Sequence, residues 1–130
     1  MNLPTIADIK VLAQRAFEDI PENLRAAAGD IVFNVVDFPD DETMTAMELE
    51  TPIDILGLYH GVDLLHRSNL DVSPEVDQVF LYRRPLLDYW RETGEPMDRL
   101  VRHVVIHEIG HHFGFSDGGM DALEAAASAE

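Results

Sequence analysis

With 130 residues, 46% of them apolar, and only seven prolines, the chain can bury an ordinary core, which excludes a disordered protein. It holds no cysteine, which excludes disulfides and thiolate ligands and leaves His, Asp and Glu as metal donors. A net charge of −16 argues against nucleic acid and anionic membrane surfaces as partners; it either favours basic peptides or protein segments as substrates or serves solubility alone.

This length is read as one domain, residues 1–130. Residues 1–5 carry neither a basic n-region nor an apolar h-region, and no apolar run approaches the roughly 20 residues that span a bilayer. The expectation is a cytoplasmic protein without a signal peptide.

In chain order, Thr5 followed by Asp8 is an N-cap signature. Ile6, Ile9, Leu12, Ala13, Ala16 and Phe17 then recur at helical spacing. This predicts a helix over residues 5–19, stopped by Pro21, and a short helical turn over 23–28 ending at Gly29. Residues 31–37 form a β-branched run with little alternation, the pattern of a strand covered on both faces. Pro39, Asp40, Asp41 and Glu42 read as a solvated acidic connector. Residues 53–60 predict a second strand, interrupted at Gly57 where another backbone or a ligand approaches closely. After a polar turn region over 66–74, residues 78–83 predict the third strand. Pro85 opens a helix through Arg91 that stops at Gly94, and Pro96 opens the next. On that last helix Leu100, Val101, Val104, Val105, Ile106, Ile109 and Phe113 are spread nearly all round, so it is expected to be buried beneath the sheet. Gly110 would allow close approach to a neighbour.

This helix carries the chemistry. Its sequence contains His107-Glu108-Ile109-Gly110-His111, followed by Gly114 and Asp117, in the pattern H-E-x-x-H-x-x-G-x-x-D. At about 100° per residue the two imidazoles lie roughly 40° apart, one turn from each other on one face. They can share one small cation, and zinc, with nitrogen ligands at about 2.0–2.1 Å, fits them. Glu108, about 100° round from His107, flanks that face and suits a general base acting on metal-activated water. Gly114 frees the chain to turn back, and Asp117 is the candidate third ligand. Asp117 also reads as the N-cap, with Ser116, of a last helix through Met120 and Glu124. Glu124 ranks below Asp117 as a ligand.

Other residues tempt less. His112 points about 100° away from His111, and His103 precedes His107 by about 6 Å of helical rise, so both are read outside the ligand set. Tyr59, His60 and Tyr82 could each stabilise an oxyanion, and nothing in the sequence singles one out.

The extended motif resembles the zincin metallopeptidases, and its aspartate form is similar to the metzincin variant with aspartate as third ligand. Leu56-Gly57-Leu58-Tyr59-His60-Gly61 and Val79-Phe80-Leu81-Tyr82-Arg83-Arg84-Pro85, in so short a chain, are similar to a bacterial family of minimal zincin-like metallopeptidases. The likeness runs over residues 31–117. Met120 departs from the metzincin methionine turn, which lies further along the chain. The resemblance implies an α+β, compact zincin-like domain with a small mixed sheet of three or four strands packed on the central active-site helix. It also implies that an edge strand, for which residues 53–61 are the candidate, binds an extended peptide by strand addition. The expected function is zinc-dependent peptide-bond hydrolysis with one Zn²⁺ per chain, held by His107, His111 and Asp117, and Glu108 as base. Two alternatives stand beside it. One is a zinc- or peptide-binding module of zincin fold without catalysis. The other is a metal-dependent endoribonuclease, whose H-x-x-x-H-x-x-G-x-x-H pattern this chain misses at the third ligand.

Overall fold

The computed structural model describes residues 3–61 and 77–112. It opens with α1 (Ile6–Glu18), α2 (Glu22–Ala28), β1 (Ile31–Val36) and α3 (Asp41–Ala46). β2 (Gly57–His60), β3 (Asp77–Tyr82), α4 (Arg83–Thr93) and α5 (Met97–His112) follow. β3 is the central strand, parallel to β1 and antiparallel to β2. The architecture is a small mixed α+β fold with a three-stranded sheet among the described residues. None of its described helices is long and apolar enough to cross a membrane.

The start of α1 is fixed locally. The Asp8 N–H donates to Thr5 Oγ1 at 3.1 Å and the Thr5 N–H to Asp8 Oδ2 at 2.9 Å, a reciprocal capping box. Ile9, Ala13 and Ala16 form its buried face, which packs on β1 and α5. Thr5→Ala is expected to lower stability by about 0.5–2 kcal/mol; an unchanged urea midpoint would show the cap to be dispensable.

Among the described residues β1 is covered on one face only, contrary to the sequence expectation. Phe33 and Val35 are 1% and 9% exposed and point to the helices, whereas Val32 and Val36 are 44% and 38% exposed. The cause is topological: β1 lies at the edge of the sheet and α1 covers only its inner side. The acidic connector after it holds a helix, α3, which had not been anticipated. Asp40 caps it by accepting from the Thr43 N–H at 2.7 Å, and Asp41 and Glu42 occupy the first turn, where negative charge suits the helix dipole.

β2 is shorter than expected. The Asp54 carboxylate accepts from the N–H groups of Glu50 and Thr51 and from Thr51 Oγ1, tying that stretch into a turn. Pairing with β3 begins only where Leu56 O accepts from the Tyr82 N–H at 3.0 Å. The turn region expected at 66–74 lies outside the described residues.

Arg83, expected as the end of the third strand, instead begins α4, with Pro85 in its first turn. Gly94 ends the helix in the left-handed conformation, φ 70°, and donates its N–H to Trp90 O. α5 runs through the core as its composition predicts: Met97, Leu100, Val101, Val104, Val105, Ile106, Ile109 and Gly110 are all buried. It packs on α1, α4 and the inner face of β2 and β3. Burial on so many sides makes it a rigid carrier for the side chains on its last two turns.

Candidate active site

Two glycines let β2 lie directly against α5. A Cβ at Gly57 would stand 2.6 Å from Val104 Cγ1 and 3.0 Å from the Phe80 carbonyl oxygen. One at Gly61 would stand 2.6 Å from His112 Cε1 and 2.8 Å from Tyr59 Cε1. The close approach anticipated at Gly57 is therefore helix against strand. Gly57→Ala is expected to cost about 1–3 kcal/mol, because β2 or Val104 must give way in a packed interior. A stability loss under ~0.5 kcal/mol would mean the interface accommodates the methyl, well inside the ordinary overpacking cost.

At the end of α5 the imidazoles of His107 and His111 stand with ring centres 6.1 Å apart and planes at 83°. Two imidazoles on one tetrahedral zinc have ring centres roughly 5 Å apart, so a modest side-chain rotation of about 1 Å brings this pair onto an ion. The donor set is right in chemistry too: two neutral-capable nitrogens one turn apart on a buried helix. Among the described residues no group of three His, Asp or Glu is gathered to hold a metal. Asp117, the expected third ligand, and Glu124 lie outside the described residues.

Glu108 flanks this pair and reaches the sheet. Its Oε1 accepts from the Tyr59 N–H at 3.1 Å. Burial pushes its carboxyl above the ordinary glutamate range, while the Tyr59 hydrogen bond and the charge of His111 pull it back in part.

The Tyr59 N–H is at the edge of the sheet for a geometric reason. In the antiparallel β2–β3 pair, Leu56 hydrogen-bonds with Tyr82, so the bonded pairs continue as Leu58–Phe80 and His60–Gln78. Gly57 and Tyr59 therefore turn their N–H and C=O groups away from β3. The carboxylate of the motif meets this outer edge.

Tyr59 is fixed by its side chain as well. Its ring stacks on His112, with centroids 4.0 Å apart and planes at 13°, and its hydroxyl donates to Asp77 Oδ2 at 2.9 Å. Asp77 is itself buried. His112 thus serves the helix–strand junction, outside the His107–His111 pair as its angle on the helix implied. His103 is exposed and lays its ring 4.0 Å from that of His107. Of the three oxyanion candidates, Tyr82 is buried, His60 is exposed and lines a groove on the outer face of the sheet, and Tyr59 turns its hydroxyl to Asp77. Sequence reasoning missed the partnership of Tyr59 with Glu108 and the role of Asp77 entirely. The one available signal was an aromatic residue just past Gly57 on a strand.

Residues 28–127 match the family described as zincin-like metallopeptidase. The chain belongs to that family. The match in this zincin-like chain begins at the last residue of α2 and takes in β2, α5 and the whole of the H-E-x-x-H-x-x-G-x-x-D motif. None of the curated proteins matches it.

Proposed function

We propose that this chain is a zinc-dependent peptidase in which His107, His111 and Asp117 hold the metal and Glu108 is the general base. The observation that carries the reading is the hydrogen bond from the Tyr59 N–H to Glu108 Oε1. It puts the acid of the motif at the outer edge of β2, where an extended peptide would pair by strand addition. The substrate is a peptide or protein segment, with basic sequences favoured by the charge of −16.

A zinc ion held by His107, His111 and Asp117 would supply a more acidic water and Lewis-acid polarisation of the scissile carbonyl. This chain's own residues do the rest. Tyr59 fixes Oε1 of Glu108, which leaves Oε2 to take a proton from the attacking water and pass it to the leaving nitrogen. Burial raises the carboxyl's affinity for that proton and brings it nearer the operating pH. The buried α5 holds the ligands and base in fixed relation.

Elemental analysis after zinc loading, followed by a peptide-library cleavage assay, tests the reading. One metal per chain with cleavage is the expected result. A protein that takes up no transition metal would sink it, and one that binds zinc and peptides without cutting would be a binding module instead. Asp117→Asn separates ligand from cap. Asparagine caps a helix about as well as aspartate, so the fold should persist while zinc affinity falls by roughly 10-fold or more. Unchanged affinity in a chelator titration would leave Asp117 as a cap and move the search for the third ligand to Glu124.

A further inference from the structure

The sheet has a second face, and the strand alternation of β2 divides its side chains between the two. Gly57 and Tyr59 face α5, whereas Leu58 and His60 face outward. On that outer side, between the sheet and α3, lies a groove of about 560 Å³. Its apolar lining includes Phe38, Met47, Leu58 and Phe80, and two exposed carboxylates, Asp40 and Glu42, line it as well. No described Lys or Arg is among its lining residues. Phe38 and Met47 are 48% and 45% exposed, so the apolar surface is open to a ligand.

We propose that this groove is a subsite for a long basic side chain, arginine or lysine, of a peptide seated on the outer edge of β2. The inference rests on the peptidase reading and names a feature of the substrate. A strand added to β2 lies about 4.8 Å from it and sends alternate side chains to each face. Those on the outer face come within about 5 Å of Leu58 or His60, both of which line the groove. A basic side chain suits the lining at both ends. Its methylene stem covers Leu58, Phe80 and Met47, and its charged head reaches Asp40 and Glu42. A leucine would fill the apolar part and leave the carboxylates unanswered. A glutamate would face two like charges.

Tyr82 lies on the groove side of the sheet, with Asp40 and Glu108 both near enough to act on it. Burial holds the phenol of Tyr82 above its ordinary range, and the charges of Asp40 on the groove side and Glu108 on the catalytic side both push it further up. Tyr82 thus lies within the field of both carboxylates. Its hydrogen bond to Thr43 of α3, another residue lining the groove, pulls the other way.

The experiment measures binding, separately from cleavage. Zinc-loaded Glu108→Gln is titrated with a set of fluorescent peptides in which each position in turn is Arg, Lys, Leu, Ala or Glu. At one position Arg and Lys are expected to bind about five times more tightly than Leu, as two exposed charges would give at most, with Glu weakest. The double substitution Asp40→Asn, Glu42→Gln should bring Arg and Leu level while leaving the Ala peptide unchanged, since asparagine preserves the α3 cap. Peptide binding without a basic preference, or a preference that survives the double substitution, overturns the subsite and leaves the peptidase reading standing. Binding of no peptide at all takes down both. A chain that sediments as a dimer and becomes monomeric with Phe38→Glu would make the groove an interface between copies, and the subsite would fall.

Discussion

Glu108→Gln should keep a full complement of zinc and lose peptide hydrolysis by roughly 10²–10⁴-fold, the range for removing a positioned proton acceptor. The amide keeps the shape of the carboxylate and an oxygen that can still accept from the Tyr59 N–H, so β2 stays docked on α5. What it cannot do is take a proton from water. Loss of zinc in this variant would make Glu108 a ligand and refute its assignment as base. Undiminished turnover would remove it from the reaction altogether.

His107→Ala and His111→Ala should each abolish zinc retention and activity together. The two rings stand one turn apart at the end of a buried helix and are the proposed donors. Losing a group that merely supports a ligand costs metal affinity about 10–100-fold, so losing a ligand should exceed about 100-fold. His111 is exposed, and its removal should leave the unfolding midpoint of the metal-free protein nearly unchanged. Zinc uptake equal to the parent in either variant would move the metal centre elsewhere. His112→Ala is the matched control: it removes a neighbouring imidazole that stacks on Tyr59, and zinc should stay bound.

The features legible in the sequence are those set by local chemistry. The Thr5–Asp8 box, the left-handed stop at Gly94 and the burial of α5 each follow from residues within a few positions of one another. Gly57 also showed itself, because a glycine within a β-branched and aromatic run asks what comes close. Coverage of β1 did not show, since a strand's apolar run cannot reveal whether a second layer exists to cover it. α3 escaped because Asp41–Ala46 is too short to display a helical period. The link from Tyr59 to Glu108 spans 49 positions and uses a backbone donor, which carries no side-chain signature at all.

The contact between Glu108 and β2 has a consequence for the protein's behaviour in concentrated solution. A strand edge with outward N–H and C=O groups is a template on which another chain can assemble. β2 limits this by its length, Gly57–His60, and by the half-buried Glu108 carboxylate, which takes the Tyr59 N–H and so cuts short a long ladder while a short peptide can still lie along the strand. The acid proposed as base thus also shortens the ladder that a second copy of the chain could build on β2. Glu108→Gln preserves this limit, because the amide oxygen still accepts a hydrogen bond. Glu108→Ala removes it and should form light-scattering aggregates at protein concentrations where the glutamine variant stays clear. Equal clarity of the two would show that the shortness of β2 is protection enough.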